Sequence, residues 1–255
     1  AAASRPAVAQ FCLEDQHPIR RTNNVTAIAS ADLDGDGFAD LVLANGSSNT
    51  ISILRSVGGS PSSSEVDCRV GDEPVSVAIA DLNGDGRPDI VVANRSSSSL
   101  SVLLNLGSGT FAPQVQYSTV TGPSFVTTGD LDGDGSPDLI VTIHNPGTVS
   151  VRLNRGDGSF GLESLYPAGV GAVSATCADL DGDGDMDMAV ANAGGTISVL
   201  SNRGDGTFAQ QIQYRLDHNP ASITSRRWHR TRALIPTLPY CPSCGLDTVF
   251  LRGFL

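Results

Sequence analysis

Short apolar runs separated by polar turns recur along the chain, and none has the length of an ordinary helix. In one stretch, Val75-Ser-Val-Ala-Ile-Ala80 alternates apolar and small residues. Ile90-Val-Val-Ala-Asn94 is almost wholly apolar, and Leu100-Ser-Val-Leu-Leu-Asn105 follows it. A Gly-rich turn then ends in Phe, as Gly107-Ser-Gly-Thr-Phe111, and leads to a weaker run reaching Tyr117. The turn returns as Gly156-Asp-Gly-Ser-Phe160 and Gly204-Asp-Gly-Thr-Phe208. Four short runs per unit predict a four-stranded antiparallel sheet. The runs are so rich in branched and small apolar residues that both faces of each sheet must be covered, which one sheet cannot do for itself.

A second pattern sets how the sheets are arranged. DLDGDGFAD at 32–40, DLNGDGRPD at 81–89, DLDGDGSPD at 130–138 and DLDGDGDMD at 179–187 begin 49 residues apart each time. Calcium-binding solenoids use much shorter repeats, so this period predicts radial stacking: an all-β propeller of four-stranded antiparallel blades. Four clear repeats occupy residues 24–210. Residues 1–23 read as an N-terminal extension or a closing strand. Residues 211–255 read as a partial fifth repeat, degenerate or composite, because Tyr214 and Asn219-Pro-Ala-Ser-Ile parallel Tyr117 and Gly122-Pro-Ser-Phe. Where the next aspartate loop is due, the chain instead reads Arg226-Arg-Trp-His-Arg-Thr-Arg232, opening a basic tail that contains Cys241 and Cys244. A blade shared between the termini and a disrupted copy of a longer array both fit.

The aspartate loops carry the chemistry. Their first, third, fifth and ninth positions offer side-chain oxygens: Asp32, Asp34, Asp36 and Asp40; Asp81, Asn83, Asp85 and Asp89; Asp130, Asp132, Asp134 and Asp138; Asp179, Asp181, Asp183 and Asp187. The seventh position varies freely as Phe38, Arg87, Ser136 and Asp185, as expected of a residue that donates only its backbone carbonyl. Oxygen-only ligands on a Gly-rich loop favour Ca²⁺ over the smaller, stricter Mg²⁺, so about four calcium ions are expected. An EF-hand would need a bidentate Glu at the twelfth position, where Leu43, Val92, Val141 and Val190 stand. The ninth aspartate is therefore expected to close the site. Asn83 leaves the second loop one charge short, and Asp185 adds one near the fourth. Two carboxylates about 4 Å apart repel by roughly 4 kcal/mol at an effective dielectric of 20, a penalty that a cation removes.

These loops also account for the acidity. The formal charge is -11, yet the four loops hold 16 of the 27 acidic residues, and the remainder of the chain sums to +5. No basic groove interleaved with aromatics is evident, so nucleic acid is not an expected partner. No run approaches the roughly 18 apolar residues of a membrane helix. Five cysteines, at 12, 68, 177, 241 and 244, are too scattered for a disulfide-built fold. Glycosylation sequons begin at Asn24, Asn45 and Asn94.

The four DxDxDG-type loops, the apolar strands after them (ADLVLAN, PDIVVAN, PDLIVTI, MDMAVAN) and the G-x-G-x-F turns resemble the FG-GAP/VCBS repeat family over residues 24–225. That family includes integrin α-subunit propellers and many extracellular proteins. The resemblance implies calcium held by the aspartates and Asn83 named above, and an extracellular or periplasmic location. It does not transfer integrin ligand residues, which lie in variable loops on the opposite face.

Other constellations are weaker. Gly156-Asp-Gly-Ser-Phe-Gly161 matches G-x-G-x-x-G formally, but it lies in a repeated turn with no helix expected after it. Cys241-Pro-Ser-Cys244 has redox or half-zinc spacing without the surrounding context. His144 reads as a substitute for the alanine at Ala44 and Ala191, lining a surface groove. No catalytic constellation stands outside the metal loops, so the first reading is a noncatalytic scaffold that recognises protein or carbohydrate through surface loops. A propeller module of a polysaccharide-active or other hydrolytic enzyme, and a purely structural array, are the alternatives.

Overall fold

The computed structural model describes residues 24–58, 60–226 and 248–252. No helix occurs among them. Blade one comprises β1 (Val25–Ala31), β2 (Asp40–Asn45), β3 (Thr50–Val57) and β4 (Ser60–Arg69). Blade two comprises β5 (Pro74–Ala80), β6 (Asp89–Asn94) and β7 (Ser99–Leu103), then a small hairpin of β8 (Asn105–Gly107) and β9 (Thr110–Phe111), and finally β10 (Val115–Ser118). Blade three holds β11 (Pro123–Gly129), β12 (Asp138–Ile143), β13 (Thr148–Arg152) and β14 (Ser164–Pro167). Blade four holds β15 (Ala172–Ala178), β16 (Asp187–Asn192), β17 (Thr196–Leu200) and β18 (Ile212–Arg215). Each blade is an antiparallel meander in chain order. The first strand of every blade carries the same register shift near its start, at Val25/Ala27, Pro74/Ser76, Pro123/Phe125 and Ala172/Ser174.

The core lies between blades. The second strands β6, β12 and β16 are buried at every residue, which explains their unbroken apolar runs. One cluster joins Leu33, Val42, Ile51 and Ile53 of blade one to Ile90, Val92 and Leu103 of blade two. Equivalent clusters join blades two and three through Val91, Leu100, Val126 and Leu139, and blades three and four through Ile140, Val149, Met188 and Val190. The phenylalanine ending each Gly-rich turn reaches into the interface with the preceding blade. Phe160 meets Tyr117 edge-on, with ring centroids 5.5 Å apart, and Phe208 meets Tyr166 at 5.2 Å. Such pairs add to the area they bury.

The first strands contact one another in succession, β1 to β5, β5 to β11 and β11 to β15, and the series continues onto β19 (Ser222–Arg226). Ile223 packs against Ala189, Ala191 and Ile197 of blade four. Beside β19 runs β20 (Thr248–Arg252) in parallel, unlike the antiparallel neighbours in the four blades. A parallel neighbour requires a crossover rather than a hairpin, and residues 227–247 separate the two strands. The array is thus all-β and of propeller type, with the inner strand of a fifth sheet in place. Residues 1–23 and the Cys241–Cys244 pair lie outside the described residues.

Candidate metal centre

The meander puts each aspartate loop between the first two strands of its blade, at the end that also bears the Gly-rich turns. Glycine makes the loop sharp: Gly35 and Gly37 adopt φ of +81° and +87°, and a β-carbon at either would meet nothing within 4 Å. The backbone therefore curls inward and directs its N–H groups at the aspartates. Asp32 accepts from Gly35 at 2.8 Å through Oδ1 and from Gly37 at 2.9 Å through Oδ2. Asp130 accepts from Gly133 at 2.9 Å and Gly135 at 3.0 Å, and Asp179 likewise from Gly182 and Gly184. Fifth-position Asp36, Asp85, Asp134 and Asp183 each accept from the N–H of the seventh residue: Phe38, Arg87, Ser136 and Asp185.

Ninth-position Asp40, Asp89, Asp138 and Asp187 are completely buried. Each is held by two backbone N–H groups. One oxygen accepts from the second residue of its own loop: Leu33 at 3.0 Å, Leu82 at 2.9 Å, Leu131 at 2.8 Å and Leu180 at 2.9 Å. The other accepts from a residue near the end of the third strand in blade one and two positions past it in the others: Ser56 at 2.7 Å, Asn105 at 2.7 Å, Asn154 at 2.8 Å and Asn202 at 2.8 Å. Burial pushes all four carboxyls up, the two N–H bonds pull them down, and the third- and fifth-position carboxylates of loops one, three and four push up again. In loop two the opposing charges are those of Asp85 and Asp81. Asp138 reaches about 6.

Ligand-capable oxygens converge to within 4.8 Å in three trios: Asp32, Asp34 and Asp36; Asp130, Asp132 and Asp138; Asp179, Asp181 and Asp187. Asp40, Asp134 and Asp183 lie outside their loops' trios, and the side chains of Phe38 and Asp185 take no part in one. Loop two forms no carboxylate trio among the described residues. There Asn83 donates to Asp85 at 3.0 Å, and the Arg87 guanidinium pairs with the same carboxylate while its Nε donates to the Asn105 carbonyl. Asp81, Asn83, Asp85 and Asp89 still present an oxygen-only donor set, with Asp85 already partly neutralised.

The metal-free protein is expected to become more stable to urea as the pH falls from 7 toward 5. The Asp138 carboxyl titrates near 6 when folded and near 3.9 when unfolded, so the folded state takes up the proton first. Its contribution is present at low pH and is lost as the pH rises through about 6. A urea midpoint in chelator-treated buffer that falls on acidification over this range would contradict the assignment.

Several features were not read from the sequence. Asn105, Asn154 and Asn202 reach back across the blade boundary, donating from Nδ2 to the carbonyls of Leu33, Leu82 and Leu131 at 2.9, 2.8 and 2.7 Å. Their recurrence just before each Gly-rich turn is a signal that could have found them. His144 proves not to replace Ala44 and Ala191. Strand pairing makes Thr142 their counterpart, and His144 is an exposed turn residue. Gly156–Gly161 is a turn closed by an Asn154–Phe160 bridge, with no helix after it. Of the sequons, Asn45 and Asn94 are buried and donate to strand hydroxyls, whereas Asn24 is exposed. Cys68 and Cys177 are free thiols.

Radially packed four-stranded blades, each with an acidic Gly-rich loop between its first two strands, define a repeat array of propeller type. The FG-GAP-like repeat matches residues 32–92, 81–141, 130–190 and 179–226, and the chain belongs to that family. No curated protein matches the chain. Among solved structures it resembles BBS1N, determined in complex with ARL6DN, at a TM-score of 0.53 and 17% identity, over 77% of this chain and 58% of that one. It also resembles an Agrocybe aegerita lectin described as recognising non-reducing terminal N-acetylglucosamine, at a TM-score of 0.51 and 24% identity, over 74% and 51%. At these identities the likeness is one of fold, and the chain spans little more than half the length of either structure.

Proposed function

We propose that the protein is a calcium-stabilised, noncatalytic recognition scaffold that works outside the cytosol. The observation that carries this reading is the convergence of aspartate oxygens in three of four loops repeated at a 49-residue period, each loop ending in a buried ninth carboxylate. The donors suit a hard cation: all are oxygens, each loop offers at least three carboxylates, and φ-positive glycines let the backbone turn sharply around them. Asp32, Asp34, Asp36 and Asp40, with their counterparts in the other loops, would hold calcium. The ion would supply charge neutralisation and loop rigidity.

Ligand recognition is assigned to the opposite face, where second-to-third-strand turns meet the linkers between blades. A groove of about 360 Å³ lies there between blades three and four, bordered by Pro146, Pro167, Val170, Thr196 and Gln213. Protein or glycan is the proposed ligand class, and the fold shared with a sugar-binding lectin makes glycans the first to screen. No helix among the described residues is long and apolar enough to cross a membrane, and the family's extracellular habit supports an extracellular or periplasmic site of action. Calorimetric titration of EDTA-stripped protein is expected to show about four calcium ions bound. Zero binding overturns the proposal. Glycan arrays run with and without calcium test the recognition half, and turnover of any arrayed polysaccharide would replace the scaffold with the hydrolase alternative.

A further inference from the structure

We infer that Asn105, Asn154 and Asn202 are positioning residues that couple each metal loop to the loop of the next blade. The inference rests on the calcium reading above. The bonds form one continuous relay. Asp40 accepts from the Leu33 N–H, and the Leu33 carbonyl accepts from the Asn105 side chain. The Asn105 N–H donates to Asp89, which also accepts from Leu82. The Leu82 carbonyl accepts from the Asn154 side chain, the Asn154 N–H donates to Asp138, and Asp138 accepts from Leu131. The Leu131 carbonyl accepts from Asn202, whose N–H donates to Asp187, and Asp187 holds Leu180.

Each asparagine is fully committed. Asn154 Nδ2 donates to the Pro137 carbonyl at 3.0 Å as well as to Leu82, and its Oδ1 accepts from Gly156 at 3.0 Å. It is 5% exposed, so it has no solvent partner to turn to if one loop shifts. Moving the second residue of a loop must move the asparagine amide, or leave a buried polar group unpaired. Moving the asparagine displaces the N–H that fixes the next ninth-position aspartate. An ion that orders one loop thereby favours the metal-ready form of its neighbour. Blade one carries Ser56 at the matching place. It keeps the main-chain bond to Asp40 but lacks the amide that spans a boundary. Serine is therefore a native-like replacement that cuts the relay and spares the aspartate.

The test uses the full chain with calcium present. Asp132→Ala removes a ligand-capable side chain from the loop-three trio without touching the relay, and hydrogen exchange is read at the backbone amides of loop two, residues 81–87 and 89. In the parent background this substitution is expected to speed loop-two exchange about fivefold or more. In the Asn154→Ser background its effect on loop two should shrink below about twofold. Equal effects in the two backgrounds, or none in either, overturn the inference. Should Asn154→Ser fail to fold, Asn202→Ser provides the same comparison between loops three and four, with exchange read at amides 179–187. Calorimetry on the parent separates the two readings. A parent that binds no calcium removes the calcium reading and this one together, whereas calcium-loaded loops that respond independently remove the coupling alone.

Discussion

Stripping the protein with EDTA is expected to lower its thermal unfolding midpoint by about 10–20 °C. With a dissociation constant near 0.1 mM and about 1 mM free calcium, linkage supplies roughly 1.4 kcal/mol per site, or nearly 6 kcal/mol for four sites. In a domain of this size each kcal/mol moves the midpoint by about 2–4 °C. The physical source is visible in the loops. Asp130, Asp132 and Asp138 place ligand-capable oxygens within 4.8 Å of one another, and Asp138 is both buried and opposed by the charges of Asp132 and Asp134. Differential scanning fluorimetry with calcium, with EDTA, and with EDTA followed by excess calcium measures the effect directly. Magnesium should restore less of it, because its small octahedral shell fits a wrapping carboxylate loop poorly. A midpoint indifferent to chelation would mean that the backbone N–H groups alone hold the loops closed.

Asp138→Ala is expected to destabilise the protein by about 2–6 kcal/mol even without metal. Its two oxygens accept from Leu131 and Asn154 deep inside the blade, and truncation leaves both N–H groups buried and unpaired. Each orphan costs about 1–3 kcal/mol. Asp134→Ala is the control, because that residue is exposed and its bond to Ser136 closes only a local turn. Its cost in EDTA should stay below about 1 kcal/mol. Urea unfolding in EDTA, at a temperature where the stripped parent is folded, keeps metal loss out of the comparison. Equal costs for the two substitutions would show that the ninth aspartate is a ligand without a structural role of its own.

The contrast between these two aspartates marks what could be read from the chain. The 49-residue period, the four runs per unit and the oxygen-donor pattern were legible because each is local or strictly repeated. So was the packing of both faces, since Ile90-Val-Val-Ala-Asn94 has no polar side to turn toward water. The double grip on Asp138 was not legible, because one of its donors stands 16 residues away, past the end of another strand. The asparagine relay was further hidden: Asn105 reads as the last residue of an apolar run, and the carbonyl it reaches is 72 positions earlier. Arg87 was read as a carbonyl donor alone, since nothing local requires its guanidinium to fold back onto Asp85. The 49-residue period already sets Thr142, not His144, in line with Ala44 and Ala191, and the pairing of Thr142 with Val149 agrees with it.

The fourth blade closes its second-to-third-strand turn with three residues, 193–195, where blade three uses four, 144–147. The grip of Asp187 on Asn202 survives this deletion at 2.8 Å, although the separation falls from 16 residues to 15. Length variation at the end of the blade remote from the aspartate loops thus leaves the hydrogen bonds through those loops untouched. A loop library grafted at 144–147 or 193–195 would explore new surfaces on a frame that the buried aspartates and asparagines hold constant.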